Sequence, residues 1–234
     1  ATGAIFARQA ARLSNKLDAN HNSLTLPIAK PTQQGSTLVL FAQAVGPPAA
    51  WGTAQMSATI TANGGLTWSN LFSSGPSSEL GKAQAWIVQN AAPIGSSITV
   101  QWRRGSTPVE PMASTVTLSL VEIVGAASSS LGPTDTDYLD ARSSASLESG
   151  TASATPSEAG GLALSFGGGW TDWANPFTMP IIDNEDWYSV SSLTSGSIYA
   201  RPIPTTDAIE AKWRKIPVVG MFPDPQPEGW YVLL

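Results

Sequence analysis

Carboxylates and aromatic rings crowd one short stretch of this chain. Asp172, Asp183, Glu185 and Asp186 lie within a few positions of Trp170, Trp173, Trp187 and Tyr188. Paired carboxyl groups do the acid and base work of glycoside hydrolysis, and flat rings stack on sugar faces. Two chemistries are therefore on offer. One is glycan hydrolysis, and the other is carbohydrate binding by Trp170, Asp172, Trp173, Asp183, Trp187 and Tyr188. The spacing matches no known signature, and Asp183-Asn184-Glu185-Asp186 reads equally well as a solvated turn.

Other routes to catalysis are thin. His21 is the only histidine, and no G-x-S-x-G elbow places a serine nucleophile. The absence of cysteine excludes disulfides, Cys-ligated zinc, iron–sulfur clusters and thiol nucleophiles. Asp135, Asp137 and Asp140 would offer oxygen ligands to calcium, yet the required loop with its fixed Gly and terminal Glu is missing. No metal and no cofactor are expected. The glycine clusters Gly160-Gly161 and Gly167-Gly168-Gly169 make no phosphate loop, and mark bends or close backbone approach at strand ends.

The elements that must position these residues are mostly strands. Met56, Ala58, Ile60 and Ala62 alternate with polar residues, as do Ile98, Val100 and Trp102, and Val116, Leu118 and Leu120. Asn63-Gly64-Gly65 supplies the positive-φ residues of a turn. Residues 37–45, TLVLFAQAV, are apolar on both faces, which suits a strand covered on both sides. Further strands are expected at 82–89, 151–155, 161–167, 188–193, 197–203, 208–214 and 229–233, and 126–149 reads as a long loop. The one helix expected covers 4–17, where Phe6, Ala10, Leu13 and Leu17 share a helical face. The whole predicts an all-β antiparallel sandwich or jelly roll, with a short N-terminal helix or arm at 1–30. The sandwich domain would span 31–205, followed by a C-terminal strand and Pro-rich extension at 206–234. No internal repeat stands out.

Composition narrows the partners. The formal charge is −5 and the basic residues are scattered, with Arg103-Arg104 and Arg214-Lys215 the only adjacent pairs. Phosphate binding needs clustered cations, so nucleic acid is not expected. No apolar run reaches the 18 or so residues of a spanning helix, and arginines occupy the place of a signal-peptide core, so no membrane partner is expected. Residues 31–78 hold no charge at all. Natural sheets normally scatter charge on faces and edges, so this section is read as meeting another protein, unless Ser, Thr and Gln alone solvate it. The nine tryptophans fit that view, since Trp is enriched at interface centres. Trp102 belongs in the core by its phase. Trp51, Trp170, Trp173 and Trp187 are interface candidates, together with Phe6, Ala10, Leu13 and Leu17 of the arm.

Three segments carry a resemblance: SATITANGGLTW (57–68), KAQAWIVQNAAPIGSSITVQW (82–102) and STVTLSLVEIVGA (114–126). A strand runs into an Asn-Gly turn and a Thr-Trp pair, an aromatic-bearing strand and a Gly-x-x-Ile-Thr-Val strand follow, and the last strand ends in Glu, apolar residues and Gly. This stretch resembles a β-sandwich module of tailed-bacteriophage virion proteins. The resemblance implies a non-enzymatic structural protein located in the virion and assembled in the host cytoplasm. In its leading form this is a capsid decoration protein that binds the assembled shell. The implied partners are other copies of the chain, as a homo-oligomer such as a trimer, and the major capsid or a tail protein. A tail-associated carbohydrate-binding adhesin is the alternative, and a concanavalin-like glycoside hydrolase the third reading. Deleting residues 1–20 is expected to weaken attachment and leave the sandwich folded.

Overall fold

The computed structural model describes residues 5–17, 23–45, 56–62, 64–73, 81–104, 107–108, 114–126, 135–140, 148–170, 178–182, 186–193, 196–217 and 228–233. Seventeen strands and no helix occur among them. The chain divides into two compact units, residues 8–124 and residues 1–7 with 125–234. The limits expected near residues 30 and 205 fall inside these units.

The first unit is built from β1 (Phe6–Leu17, from Arg8 onward), β2 (Ser23–Pro27), β3 (Ser36–Val45), β4 (Met56–Ala62), β5 (Ser69–Ser73), β6 (Gly81–Ala91), β7 (Ser97–Arg104), β8 (Thr107–Pro108) and β9 (Ser114–Val124). One sheet runs β1-β9-β3-β6-β5, and the other runs β2-β7-β4 with β8 paired to β7. The β2–β7, β3–β6, β3–β9, β4–β7, β5–β6 and β7–β8 pairs are antiparallel. The alternation read from the sequence is the packing pattern. Leu38 and Leu40 of β3, Trp86 and Val88 of β6, and Val116, Leu118 and Leu120 of β9 meet Leu24, Leu26, Ala58, Ile98, Val100 and Trp102 of the facing sheet in one core. That is a β-sandwich. The opposite face of β3 is buried too, through Thr37, Val39, Phe41 and Gln43, so β3 is covered on both sides as its unbroken apolar run requires. The turn after β4 uses Gly64 at φ 67°, and a side chain there would meet Ile94 at 2.7 Å.

Within the expected helix at 4–17, residues 6–17 form a strand. Exposure alternates along β1: Phe6, Arg8, Ala10 and Arg12 are exposed, while Ala7, Gln9, Ala11 and Leu13 are half-buried. Residues four apart share a face in a strand as well as in a helix, so the Phe6–Ala10 and Arg8–Arg12 spacings fit both. The Ala10–Leu13 step of three separates them, and the supposed apolar face splits into Phe6 and Ala10 outside and Leu13 inside. Ladder bonds to β9 outweigh the helix propensity of Ala, Arg and Leu.

The second unit holds β10 (Asp135–Asp140), β11 (Glu148–Ala154), β12 (Leu162–Trp170), β13 (Thr178–Ile182), β14 (Tyr188–Leu193), β15 (Gly196–Pro202), β16 (Ile209–Pro217) and β17 (Glu228–Leu233). Its sheets run β10-β17-β12-β15-β14 and β11-β16-β13. Ala152, Ala163, Ile182, Trp187, Ile209, Ala211 and Trp213 form the core shared by these sheets. Strand β10 and the start of β11 lie in the stretch read as a long loop. Cross-strand pairing of Asp135–Asp140 with Glu228–Leu233 overrides the low strand preference of aspartate. The Pro-rich residues 218–227 lie outside the described residues.

Candidate functional site

The acidic and aromatic stretch does not come together as a ligand platform among the described residues. Trp187 is buried in the second core, and its Nε1 donates to the Glu210 carbonyl at 3.1 Å. The ring serves packing instead of facing solvent. Tyr188, the next residue and first of β14, is 41% exposed. Asp186 pairs with Arg201 Nη2 at 3.1 Å on the surface. Trp170 closes β12 opposite Glu228. Trp51, Asp172, Trp173, Asp183, Glu185 and His21 lie outside the described residues. Asp135, Asp137 and Asp140 stand in strand β10, where the sequence reading wanted a loop. Among the described residues, no group of three His, Cys, Asp or Glu is placed to hold a metal ion.

The described acid with the densest local bonding is one the sequence reading did not single out. Glu122 sits in β9 between Val121 and Ile123, and its side chain has 0% exposure. Oε2 accepts from Arg8 Nη1 at 2.7 Å and from Gln9 Nε2 at 2.6 Å, and Oε1 accepts from the Gln33 backbone N–H at 2.6 Å. The same two β1 side chains donate to the carbonyls of Pro31 and Lys30. A buried carboxylate is tolerable only when its oxygens are so engaged. The arrangement ties β1, β9 and the segment before β3 together, and leaves no free lone pair aimed at solvent for proton transfer. The readable signal was a lone charge in a strand otherwise made of apolar and hydroxyl residues. It is also the Glu that ends the last strand of the resemblance segment.

The second core contains a smaller polar device. Trp213 Nε1 donates to Ser165 Oγ at 3.0 Å, and its ring meets Tyr199 edge-on at 5.5 Å and 85°. Burial raises the Tyr199 phenol above its ordinary value, partly offset by a backbone hydrogen bond at Ile182. Gly167 lies beneath the Trp213 ring, and any side chain there would overlap it. The expected close backbone approach at this glycine cluster is thus real, and Trp213 is what approaches.

Of the arm's interface candidates, Phe6 is 46% exposed and Ala10 is exposed on the same face of β1, while Leu13 packs on the first core. Nothing is described of the Leu17 side chain. Phe6 and Tyr188 are the exposed large apolar side chains among the described residues. Neither protein-family models nor curated proteins yield a match to this chain.

Proposed function

We propose that the chain is a non-enzymatic structural protein of a tailed-phage particle, acting as a decoration protein that binds the assembled shell. The supporting observation is how its chemistry-bearing side chains are spent. Glu122 is committed to holding β1 and β9, and Trp187 and Trp213 to filling a core. The resemblance segments over 57–126 supply strands β4, β6, β7 and β9 of one sandwich, which is the architecture the resemblance implies. Association would bury neutral surface of the uncharged 31–78 section, and shell binding would stabilise the assembled lattice by mass action. Most sheet edges are unsuited to pairing across subunits. Strands β4, β5, β11 and β14 carry irregular registers, and β10 carries three aspartates. Face-to-face docking is the mode this favours.

Co-sedimentation of the purified protein with undecorated shells tests the reading, with light scattering reporting the oligomer. Saturable binding to shells by a trimer or similar oligomer is expected. A monomer that ignores particles but changes its tryptophan fluorescence with sugars would replace it by the adhesin reading.

A further inference from the structure

We infer that the chain is a tandem duplication of one eight-strand sandwich whose copies kept their interiors and diverged on their surfaces. Substitute β10 to β16 for β1 to β7 and β17 for β9. The order β1-β9-β3-β6-β5 becomes β10-β17-β12-β15-β14, and β2-β7-β4 becomes β11-β16-β13. Both are the observed sheets. Among the described strands, only the two-residue β8 lacks a counterpart.

Sandwich topologies recur without common descent, so residue-level agreement must carry the rest. Strands β5 and β14 each slip by one residue, between Asn70 and Phe72 and between Ser189 and Ser191. Aligning these slips matches Trp86 with Tyr199, their partners across the ladder, and matches Trp68 with Trp187 just before each strand. The pairings then propagate. Leu40 faces Trp86 and Leu120, and Ser165 faces Tyr199 and Leu233. Phe41 falls on Phe166. Gly35 falls on Gly160, and their φ values are 81° and 87°. In the middle strand of the smaller sheets, ITVQWRR (98–104) falls on IEAKWRK (209–215), with Trp102 opposite Ala58 and Trp213 opposite Ile182.

The duplication accounts for an otherwise costly defect. Trp213 donates its indole N–H to Ser165, whereas the buried Trp102 Nε1 has no partner among the described residues. The position matching Ser165 is Leu40. One copy has lost the acceptor that the other retains. Outward residues show the opposite behaviour to the core. Thr99 and Gln101 are neutral, while the matching Glu210 and Lys212 are exposed and paired at 3.1 Å. The two copies therefore offer different surfaces from one scaffold, and a single chain is not a doubled version of one binding face.

The test is a pair of double-mutant cycles in the full chain, read by chemical denaturation. Ser165→Ala with Trp213→Phe sets the scale. Leu40→Ser is expected to shift the unfolding equilibrium roughly tenfold less in the wild-type background than in the Trp102→Phe background, because it returns an acceptor to the indole. Equal effects in both backgrounds overturn the matching. Should Leu40→Ser fail to fold, amide exchange on the wild-type chain decides. Protection ranked across β9, β3, β6 and β5 should repeat across β17, β12, β15 and β14, and a different ranking in the two units overturns the duplication.

Discussion

Arg8 Nη1 lies 2.7 Å from Oε2 of Glu122, a carboxylate with 0% exposure, although the two residues are separated by most of the first unit's sequence. Arg8 itself keeps a 31% exposed side chain, so the pair is asymmetric. The acid is committed and the base can be rehydrated. Glu122→Ala is expected to cost about 2–4 kcal/mol, because it removes the fully buried acceptor of the Gln33 N–H and the Gln9 amide. Arg8→Ala should cost less, about 1–2 kcal/mol, since Gln9 and Gln33 still hold the carboxylate. Urea denaturation of both variants checks the order, and a costlier Arg8→Ala would contradict this division of roles.

Gly167→Ala should destabilise the second unit by about 1–3 kcal/mol, the usual cost of overpacking. The added methyl would overlap the Trp213 ring. Displacing that ring also endangers its bond to Ser165 and its edge contact with Tyr199. Near-ultraviolet circular dichroism should lose tryptophan signal along with the stability. An unperturbed spectrum would mean that the ring has room the structure does not show.

The strands were legible wherever two-residue alternation met a well-marked turn. Residues 188–193, 56–62 and 37–45 are found almost where the pattern puts them. Strand β1 was hidden because four-residue spacings satisfy both periods, and β10 because aspartates disguised a paired segment. The duplication was hidden for a deeper reason. A core position constrains volume and polarity, so Leu40 and Ser165, or Trp86 and Tyr199, answer to one register with different letters. The letters persist at scattered points, such as Trp102 and Trp213, Phe41 and Phe166, or Gly35 and Gly160, where a large ring fills a central strand or a turn needs positive φ. Glu122 was unread because an inward acid is interpretable only once its partners from β1 and residue 33 are in place. In the candidate site, adjacency in sequence misled: Trp187 and Tyr188 are neighbours, and strand geometry sends one inward and one outward.

Alkaline pH should weaken the second unit through Tyr199. Its phenol titrates above the ordinary value of 10.0 in the folded chain, chiefly through burial. Between the unfolded and the raised folded value, the unfolded chain has released the proton that the folded chain retains. Stability is therefore fully present below pH 10 and falls as pH rises beyond it. Thermal melts at pH 8 to 11 should show this decline, reduced in Tyr199→Phe. An identical decline in that variant would assign the effect to other groups.

Removing residues 1–20 tests the largest revision of the sequence reading. A detachable helix could be cut away with only attachment lost. The chain instead places β1 as an edge strand on β9, packs Ala11 and Leu13 against the first core, and sends Arg8 and Gln9 to Glu122. Truncation strips all three contributions at once and leaves a buried carboxylate without its cation. Each is worth about 1–3 kcal/mol, against a total of about 5–15 kcal/mol for a typical domain. The truncated chain is expected to melt more than about 10 °C lower or to aggregate through the bared edge of β9. A double variant, Arg8→Ala with Gln9→Ala, separates the carboxylate from the ladder and should fall between wild type and truncation. A truncated chain that keeps the wild-type melting temperature would restore the arm and remove β1 from the sheet.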